Sequence, residues 1–221
     1  MNARTHGHYA GVQTLNGSAR SFQEGSSINI VFTPDFQEIV VGLSKKRPVY
    51  KHPCGQVEGC DVPSVFHLTD AELEDATAEH CAKRELFRET GIIESQLVLH
   101  YKLKYVRDFT GSHGRLKQHH FLAILKERIE LTTDIIEAEE MNPPEYWSVI
   151  TALKGGEAGK KINPFHQLAL CKCLQQMVEA GIGHDAHFAG FCQLLGNIYD
   201  AGINIDAHTL KIDGMIRNRE I

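Results

Sequence analysis

The chain has 221 residues, of which 42% are hydrophobic and 23% charged, and its formal net charge is −5. This balance excludes a general nucleic-acid binder, which carries an excess of clustered Lys and Arg, and no apolar run approaches the roughly 20 residues of a membrane span. The first residues lack the apolar core of a signal peptide. We therefore expect a cytoplasmic protein whose six cysteines are reduced, because disulfides are typical of small secreted proteins.

The N-terminal part of the chain carries strand patterns. Residues 1–26 are rich in Gly, Ser, Asn and Thr and predict a flexible lead-in. Two apolar segments, 27–33 and 39–43, flank a proline-containing turn and predict a β-hairpin. A basic loop follows, then a short extended stretch over 49–52 and an irregular loop over 53–61 that contains two glycines.

The strongest helix pattern runs from residue 70 to residue 90. Either Thr69 or Asp70 can cap its N-terminus, and acidic residues follow in the first turns, where the helix dipole favours them. Small and apolar side chains recur at every fourth position, as one buried stripe requires. Gly91 then provides the C-terminal stop.

Strand patterns return after this helix. Long strands are predicted over 97–106 and 119–125, with a polar loop over 110–117 between them. An acidic segment over 134–147 ends at the only tryptophan, and a glycine-rich linker over 155–159 comes next. The order of elements up to this point predicts a mixed β-sheet that needs helices to cover its faces.

The C-terminal part is predicted to be partly helical. A helix from 164 to 180 is followed by a short helix near 187–199 and an extended stretch. The whole order, β-β-β-α-β-β-α, predicts an α/β fold, an α-β-α sandwich around a mixed sheet. We divide the chain into a lead-in over 1–26, one domain over 27–180 and an extension over 181–221. The helix at 164–180 is a candidate face for a homodimer.

Two acidic residues on the helix at 70–90 are candidates for chemistry. Glu85 and Glu89 are four residues apart, so both carboxylates project from one helix face. Two like charges at this spacing destabilise an isolated helix by roughly 0.2–0.5 kcal/mol, and a cation between them would relieve the repulsion. Mg²⁺ suits carboxylate oxygens and usually takes substrate phosphates as further ligands. The alternative is a solvated helix face on which Glu85 pairs with Arg88.

The surroundings of this pair resemble the signature of the Nudix hydrolases. The matching positions of the helix are Arg84, Glu85, Leu86, Glu89, Gly91 and Ile92. The upstream segment 53–61 is similar to the glycine loop of the family, with Gly55 at the signature glycine and Asp61 at the first acidic position. The resemblance covers about residues 27–180 and implies a Nudix-like α-β-α sandwich with a mixed sheet.

Two departures from the family pattern bear on activity. Twenty-two residues separate Asp61 from Arg84, about fifteen more than in the family, and we expect a longer loop and extra first turns of the helix. Arg88 stands where the family has a further glutamate. Its fixed positive charge opposes metal binding there, or replaces part of it by direct contact with phosphate.

The resemblance implies hydrolysis of a pyrophosphate linkage in a nucleoside diphosphate derivative, with Mg²⁺ or Mn²⁺ held by Glu85 and Glu89. Arg84 is counted with the catalytic residues, as a brace that orients a glutamate, and Gly55 and Arg88 are the expected substrate contacts. A general base can come from a downstream acid. The candidates are Glu137, Glu139 and Glu140, with Glu140 taken as the catalytic one and an exposed acidic turn as the alternative.

Other interpretations remain beside this one. Because of Arg88, the chain could be a catalytically impaired Nudix-like module that binds a nucleotide or a protein partner without turnover, or the resemblance could be accidental. The expected partner is a small nucleoside diphosphate derivative, without a membrane and without general nucleic-acid binding. Two basic groups are candidates for the entrance of an anionic substrate; they are Lys45, Lys46, Arg47 and Lys51, and Arg115, Lys117, His119 and His120.

Overall fold

The structure is a computed structural model of the chain. It describes residues 12–13, 19–20, 25–46, 48–63, 68–111, 114–135, 137–157, 159–182 and 188–218. Within these ranges no helix combines the length and the apolar character that crossing a membrane would take.

A mixed β-sheet forms the centre of the described fold. Its strands are β3 (Gly25–Phe32), β4 (Glu38–Leu43), β5 (Tyr50–Lys51), β6 (Cys54–Gln56), β7 (Leu97–Gly111), β8 (Gly114–Leu125) and β9 (Glu145–Ser148). The main path runs β5-β4-β3-β8-β7, while β6 pairs with β3 and β9 pairs with β4. The β3–β8 pair is parallel and the other pairs are antiparallel. The predicted mixed sheet and α/β fold are therefore confirmed.

Short hairpins and helices complete the described elements. The hairpins pair β1 (Val12–Gln13) with β2 (Ala19–Arg20) and β10 (Gly156–Glu157) with β11 (Lys160–Lys161). The α-helices are α1 (Asp70–Thr90), α2 (Val149–Leu153), α3 (Pro164–Glu179), α4 (Ala189–Asp200) and α5 (Ile205–Arg217). Single turns of 3-10 helix lie at Gly59–Asp61, Glu94–Gln96 and Glu137–Glu139.

The sheet separates two hydrophobic layers because successive side chains of a strand point to opposite faces. Ile28 and Ile30 of β3 lie in the larger core, which α2, α3, α4 and α5 cover. Val31 lies on the opposite face with Leu86 of α1. On that same face, the side-chain amide of Asn29 donates to the carbonyl of Ala82 at 2.9 Å. The chain thus forms the helix–sheet–helix sandwich that its element order predicts.

Helix α1 has the ends that the sequence predicts. The Thr69 hydroxyl accepts from the amide of Glu72, and the Glu72 carboxylate accepts from the amide of Thr69, so that both groups form a capping box. At the other end Gly91 adopts φ +73°, and its amide donates to the carbonyl of Phe87. This left-handed conformation strains residues that carry a Cβ, which explains the glycine stop.

The polar loop predicted over 110–117 is wrong. Strands β7 and β8 continue through this segment as an antiparallel ribbon whose last pair is Gly111 with Gly114. Polar composition suggested a loop, but the backbone hydrogen bonds of an antiparallel pair form whatever the polarity of the side chains. Part of the irregular loop predicted over 53–61 is likewise strand β6, paired with β3.

The extended stretch predicted after residue 199 is also wrong, because residues 205–217 form α5. The Asn204 side chain accepts from the amide of Ala207 at 2.9 Å and caps the helix. Ile and Thr in this segment favour strands, yet Thr209 and Ile212 are buried, and α5 packs on α3. Tertiary burial overrides the local preference.

Three buried histidines meet inside the fold. They are His52 after β5, His120 in β8 and His166 in α3. The backbone amide of His52 donates to Nδ1 of His166 at 3.1 Å, and the two ring centroids are 5.8 Å apart. Burial lowers the pKa of His52 to about 4 and that of His120 to about 3, and it lowers the pKa of His166 well below its ordinary value.

We predict that these histidines make the fold sensitive to acid. A histidine whose pKa is depressed by folding contributes its full stability above its unfolded pKa, near 6.5, and loses that contribution as the pH falls toward the folded pKa. For His52 alone the loss between pH 7.5 and pH 5 is about 2 kcal/mol. Between pH 7.5 and pH 5, the free energy of unfolding of His52→Leu should therefore fall by about 2 kcal/mol less than that of the wild-type protein. Urea unfolding at the two pH values measures this difference.

The exposed His80 supplies the control for this experiment. The variant His80→Gln should keep the pH dependence of the wild-type protein. An unchanged pH dependence in His52→Leu would contradict the assignment of acid sensitivity to the buried ring.

Candidate active site

Two carboxylates on the side of α1 that faces the sheet lie against β6. Glu85 and Glu89 are both buried. A Cβ atom at Gly55 would overlap the Glu85 carboxylate, so the strand approaches the helix this closely only because residue 55 has no side chain. The amide of the preceding residue, Cys54, donates to Oε2 of Glu89 at 2.9 Å. Consecutive residues of β6 therefore position the two acids that the sequence singled out.

Glu89 also pairs with a lysine from the sheet. The ammonium of Lys51 lies 2.7 Å from Oε1 of Glu89 and 3.6 Å from Sγ of Cys54. Burial raises the pKa of Glu89, although Lys51 and the Cys54 amide act in the opposite direction. Burial opposes the charge of Lys51, but its contacts with Cys54 and Glu89 outweigh this effect and raise the pKa of Lys51 above its ordinary value. Lys51 consequently stays protonated.

The ionisation of Glu85 is also perturbed. Burial raises its pKa to about 7, the neighbouring charges of Glu89 and Glu137 raise it as well, and Arg84 acts in the opposite direction. A buried carboxyl group with a pKa close to neutrality, beside other acids, is typical of a functional site.

Arg84 ties the glycine-containing segment to α1. Its guanidinium makes two parallel hydrogen bonds to Asp61, Nε to Oδ1 and Nη2 to Oδ2, both at 2.8 Å. It also donates to the carbonyl of Gln56 at 2.8 Å, to Glu58 at 3.1 Å and to the Glu85 carboxylate. The carboxylate of Asp61 further accepts from the amide of Glu58 at 2.7 Å. Asp61 is thus engaged within the protein, and Arg84 has the bracing geometry expected from the sequence.

Arg88 reaches the same acidic side chain as Arg84. Its Nη1 atom donates to Oε1 of Glu58 at 3.0 Å. The ion pair between Glu85 and Arg88, which the sequence left open, does not form, because Glu85 pairs with Arg84 and Arg88 with Glu58. Arg88 is partly exposed, so its guanidinium remains accessible to a ligand.

The three downstream acids have different surroundings. Glu137 is buried, and its charge raises the pKa of both Glu85 and Glu89. The amide of Glu137 donates to Oδ1 of Asp134 at 2.8 Å, which fixes the start of the turn. Glu139 is exposed. The structure therefore brings Glu137 to the two helix acids.

Glu140, the downstream acid selected from the sequence, lies in a different ion pair. Its carboxylate is 2.7 Å from the ammonium of Lys46, whose side chain is 70% exposed. A short acidic run does not reveal which member points inward, since all its members have the same charge. Burial was the missing signal, and it distinguishes Glu137.

The remaining basic candidates lie mostly in other contacts. Lys45 donates to the carbonyl of Ala138, and Lys117 and His119 both reach Glu74. Arg47 and the side chain of Arg115 lie outside the described residues.

Glu85 and Glu89 are the two carboxylates of this site that are available to bind a metal ion. Among the residues that the structure describes, no three His, Cys, Asp or Glu side chains form a group that could hold a metal ion. Mg²⁺, however, is commonly bound by one or two carboxylates together with water and substrate phosphates rather than by a complete protein cage.

Comparison of the sequence with models of known families identifies the family of this chain. The model of the NUDIX domain matches residues 25–164, which is more than half of the chain. The chain belongs to the NUDIX domain family. The matched range contains β6, α1 and Glu137, so the site described above lies within the Nudix domain.

Solved structures resemble the fold at low sequence identity. The NUDIX domain of Shewanella oneidensis NrtR complexed with ADP ribose is 13% identical, with a TM-score of 0.50 over 72% of this chain and 91% of that one. A C. elegans Ap4A hydrolase is 14% identical, with a TM-score of 0.48 over 70% of this chain and 98% of that one. The E. coli dihydroneopterin triphosphate pyrophosphohydrolase is 14% identical, with a TM-score of 0.45 over 66% of this chain and 91% of that one. No curated protein matches the chain in sequence.

We predict that Arg84 contributes more to stability than an exposed arginine does. Arg84→Lys cannot reproduce the paired hydrogen bonds to buried Asp61, and a buried carboxylate that loses its partner is costly. The free energy of unfolding in urea should fall by about 2–4 kcal/mol.

Arg128 provides the matched control, because it also donates through Nε to a carboxylate, that of Glu38, at 2.8 Å, while its side chain is 60% exposed. Arg128→Lys should cost less than about 1 kcal/mol. Equal losses for the two variants would show that the Nudix site does not depend on the Arg84 brace.

Proposed function

We propose that the chain hydrolyses a pyrophosphate linkage in a nucleoside diphosphate derivative, with a divalent cation as cofactor. One observation carries this proposal: two buried carboxylates, one helical turn apart, are held against a glycine strand of a Nudix domain. Glu85 and Glu89 are both buried and the charge of Glu89 raises the pKa of Glu85; buried acids placed side by side in this way are typical of a functional site.

The residues present suit a divalent cation. Gly55 lets the Glu85 carboxylate lie directly against β6, close to Glu89 one helical turn away, and hard carboxylate oxygens are the ligands that Mg²⁺ and Mn²⁺ prefer. Glu85 and Glu89 would hold the ion. When bound, such an ion polarises a phosphoryl oxygen and lowers the pKa of its water.

The protein's own groups have separate tasks in this proposal. Arg84 holds Glu85 against β6 through its paired contacts with Asp61. Glu137 is the acid placed to accept the proton of the attacking water, in place of the sequence candidate Glu140, because its charge acts on both helix acids. Arg88 offers a guanidinium that can bind a phosphate with two hydrogen bonds.

A second function is favoured by the ion pairs themselves. Lys51 neutralises Glu89, and Arg88 takes the position of a family glutamate. A site neutralised in this way is suited to binding a nucleotide without hydrolysing it. Replacing Arg88 by Glu restores the family residue and distinguishes the two functions. The substitution should create turnover only if the wild-type protein binds a nucleotide without hydrolysing it.

Two further parts of the proposal concern the cellular location and the oligomeric state. Cys54, Cys60, Cys81, Cys171 and Cys173 are free thiols, which supports a reducing compartment such as the cytoplasm. The homodimer face expected on the helix at 164–180 stays a prediction.

We predict metal-dependent hydrolysis that requires Glu89. With Mg²⁺ or Mn²⁺, the protein should release phosphate-containing products from at least one member of a panel of ADP ribose, other nucleoside diphosphate sugars and dinucleoside polyphosphates. Glu89→Gln should lower kcat/KM by about 10² or more, because it removes a ligand charge. Product release is measured by chromatography.

Glu79, an exposed acid of the same helix that pairs with Lys83, is the matched control, and Glu79→Gln should retain full activity. Ligand-dependent thermal stabilisation without any product would refute hydrolysis and favour the binding module.

We further predict that Arg88 contributes to substrate binding. Arg88→Ala should raise KM by roughly 10- to 150-fold with a smaller change in kcat, because one charge-assisted contact to phosphate contributes about 1.5–3 kcal/mol. Steady-state kinetics measure both constants, with Arg128→Ala as the control that alters neither. An unchanged KM in Arg88→Ala would mean that Arg88 serves only to pair with Glu58.

A further inference from the structure

Lys51 is a cation of the protein placed on one of the two expected metal ligands. Its backbone is fixed in β5, where Lys51 pairs with Gly42 of β4. The preceding residue, Tyr50, packs its ring on Trp147 at a centroid distance of 4.3 Å, so the strand is anchored in the core. The side chain of Lys51 is 22% exposed and ends at Glu89. Lys51 is therefore part of the folded site and not a mobile surface side chain that happens to reach it.

Both oxygens of Glu89 are already engaged. Oε1 accepts from the Lys51 ammonium at 2.7 Å, and Oε2 accepts from the backbone amide of Cys54 at 2.9 Å. The amide belongs to a strand and cannot leave. Each carboxylate oxygen keeps a second lone pair, but a divalent cation bound to Glu89 would lie close to the Lys51 ammonium, and two positive charges that close repel each other strongly at low dielectric.

The two cations on the helix acids differ in how firmly they are held. Arg84, the partner of Glu85, is locked by its contacts with Asp61, Glu58 and the carbonyl of Gln56. For the Lys51 ammonium, the other hydrogen-bond partner among the described residues is the thiol of Cys54 at 3.6 Å, and a thiol is a weak acceptor. Lysine also has a flexible stem that can redirect its charge. Lys51 can detach from its acid, whereas Arg84 cannot.

We propose that Lys51 and a divalent cation compete for Glu89, and that a phosphate group of the substrate takes up the displaced ammonium. This inference rests on the proposed function and deepens it. Lys51 occupies the acid while the site is free and becomes a phosphate contact when the cation binds. The metal and the phosphate ligand then strengthen each other's binding, because each favours the same position of one side chain.

A Mn²⁺ titration without nucleotide tests the competition directly. The concentration of free Mn²⁺ is followed by its electron paramagnetic resonance signal for the wild-type protein, for Lys51→Met and for Lys46→Met. Lys46 is the control because it also lies 2.7 Å from a carboxylate, that of Glu140, but outside the cluster. We expect Lys51→Met to bind Mn²⁺ about tenfold more tightly or better, and Lys46→Met to bind it as the wild type does.

The outcomes separate this inference from the proposed function. A lysine that only supported the fold would leave the metal site less ordered when removed, so Mn²⁺ affinity would fall. Equal or lower affinity in Lys51→Met overturns the competition and leaves the metal-dependent function standing. No Mn²⁺ binding by any of the three proteins, without ADP ribose and with it, overturns both.

A second measurement needs only the wild-type protein and applies even if Lys51→Met fails to fold. Reductive methylation followed by mass spectrometry reports how accessible each lysine amine is. Lys51 should be protected without metal and should become several times more reactive at saturating Mn²⁺, while the 70% exposed Lys46 reacts equally in both conditions. If Lys51 stays protected while Mn²⁺ binds, the proposal is wrong.

Discussion

The close approach of α1 to β6 is the constraint on which the site depends. Gly55 has no side chain to keep the Glu85 carboxylate away, and the adjacent backbone amide of Cys54 binds Glu89. Buried carboxylates need compensating partners, since an unpaired charge in a protein interior is very costly. The approach therefore requires cations nearby, and the sequence supplies them from two elements, α1 and β5.

Cations of the protein offset part of the negative charge within the site. The acids are Glu58, Asp61, Glu85, Glu89 and Glu137, and the cations in contact with them are Arg84, Arg88 and Lys51. Arg84 holds the segment 53–61 against α1. Arg88 and Lys51 supply positive charge that a bound metal ion would otherwise have to supply. This partial compensation stabilises the buried acids of the Nudix domain in the absence of a ligand.

Strand β3 connects the site to the rest of the fold. It pairs with β4, β6 and β8, and its side chains alternate between the layer of α1 and the larger core under α3, α4 and α5. Chemistry and stability are thus divided between the two faces of one sheet. The helices α4 and α5 contribute buried residues to the larger core, so the C-terminal segment stabilises the face opposite the candidate site.

The sequence alone determined the elements whose signals are local. Thr69 and Gly91 predicted the ends of α1, and the four-residue spacing of Glu85 and Glu89 predicted acids on one face, because capping and helical periodicity act within a few residues. The loop predicted over 110–117 and the extended stretch predicted after 199 failed since strand pairing and burial against α3 act between distant segments. Only the tertiary structure decided which downstream acid points inward and which lysine meets Glu89, because these contacts join residues far apart in the chain.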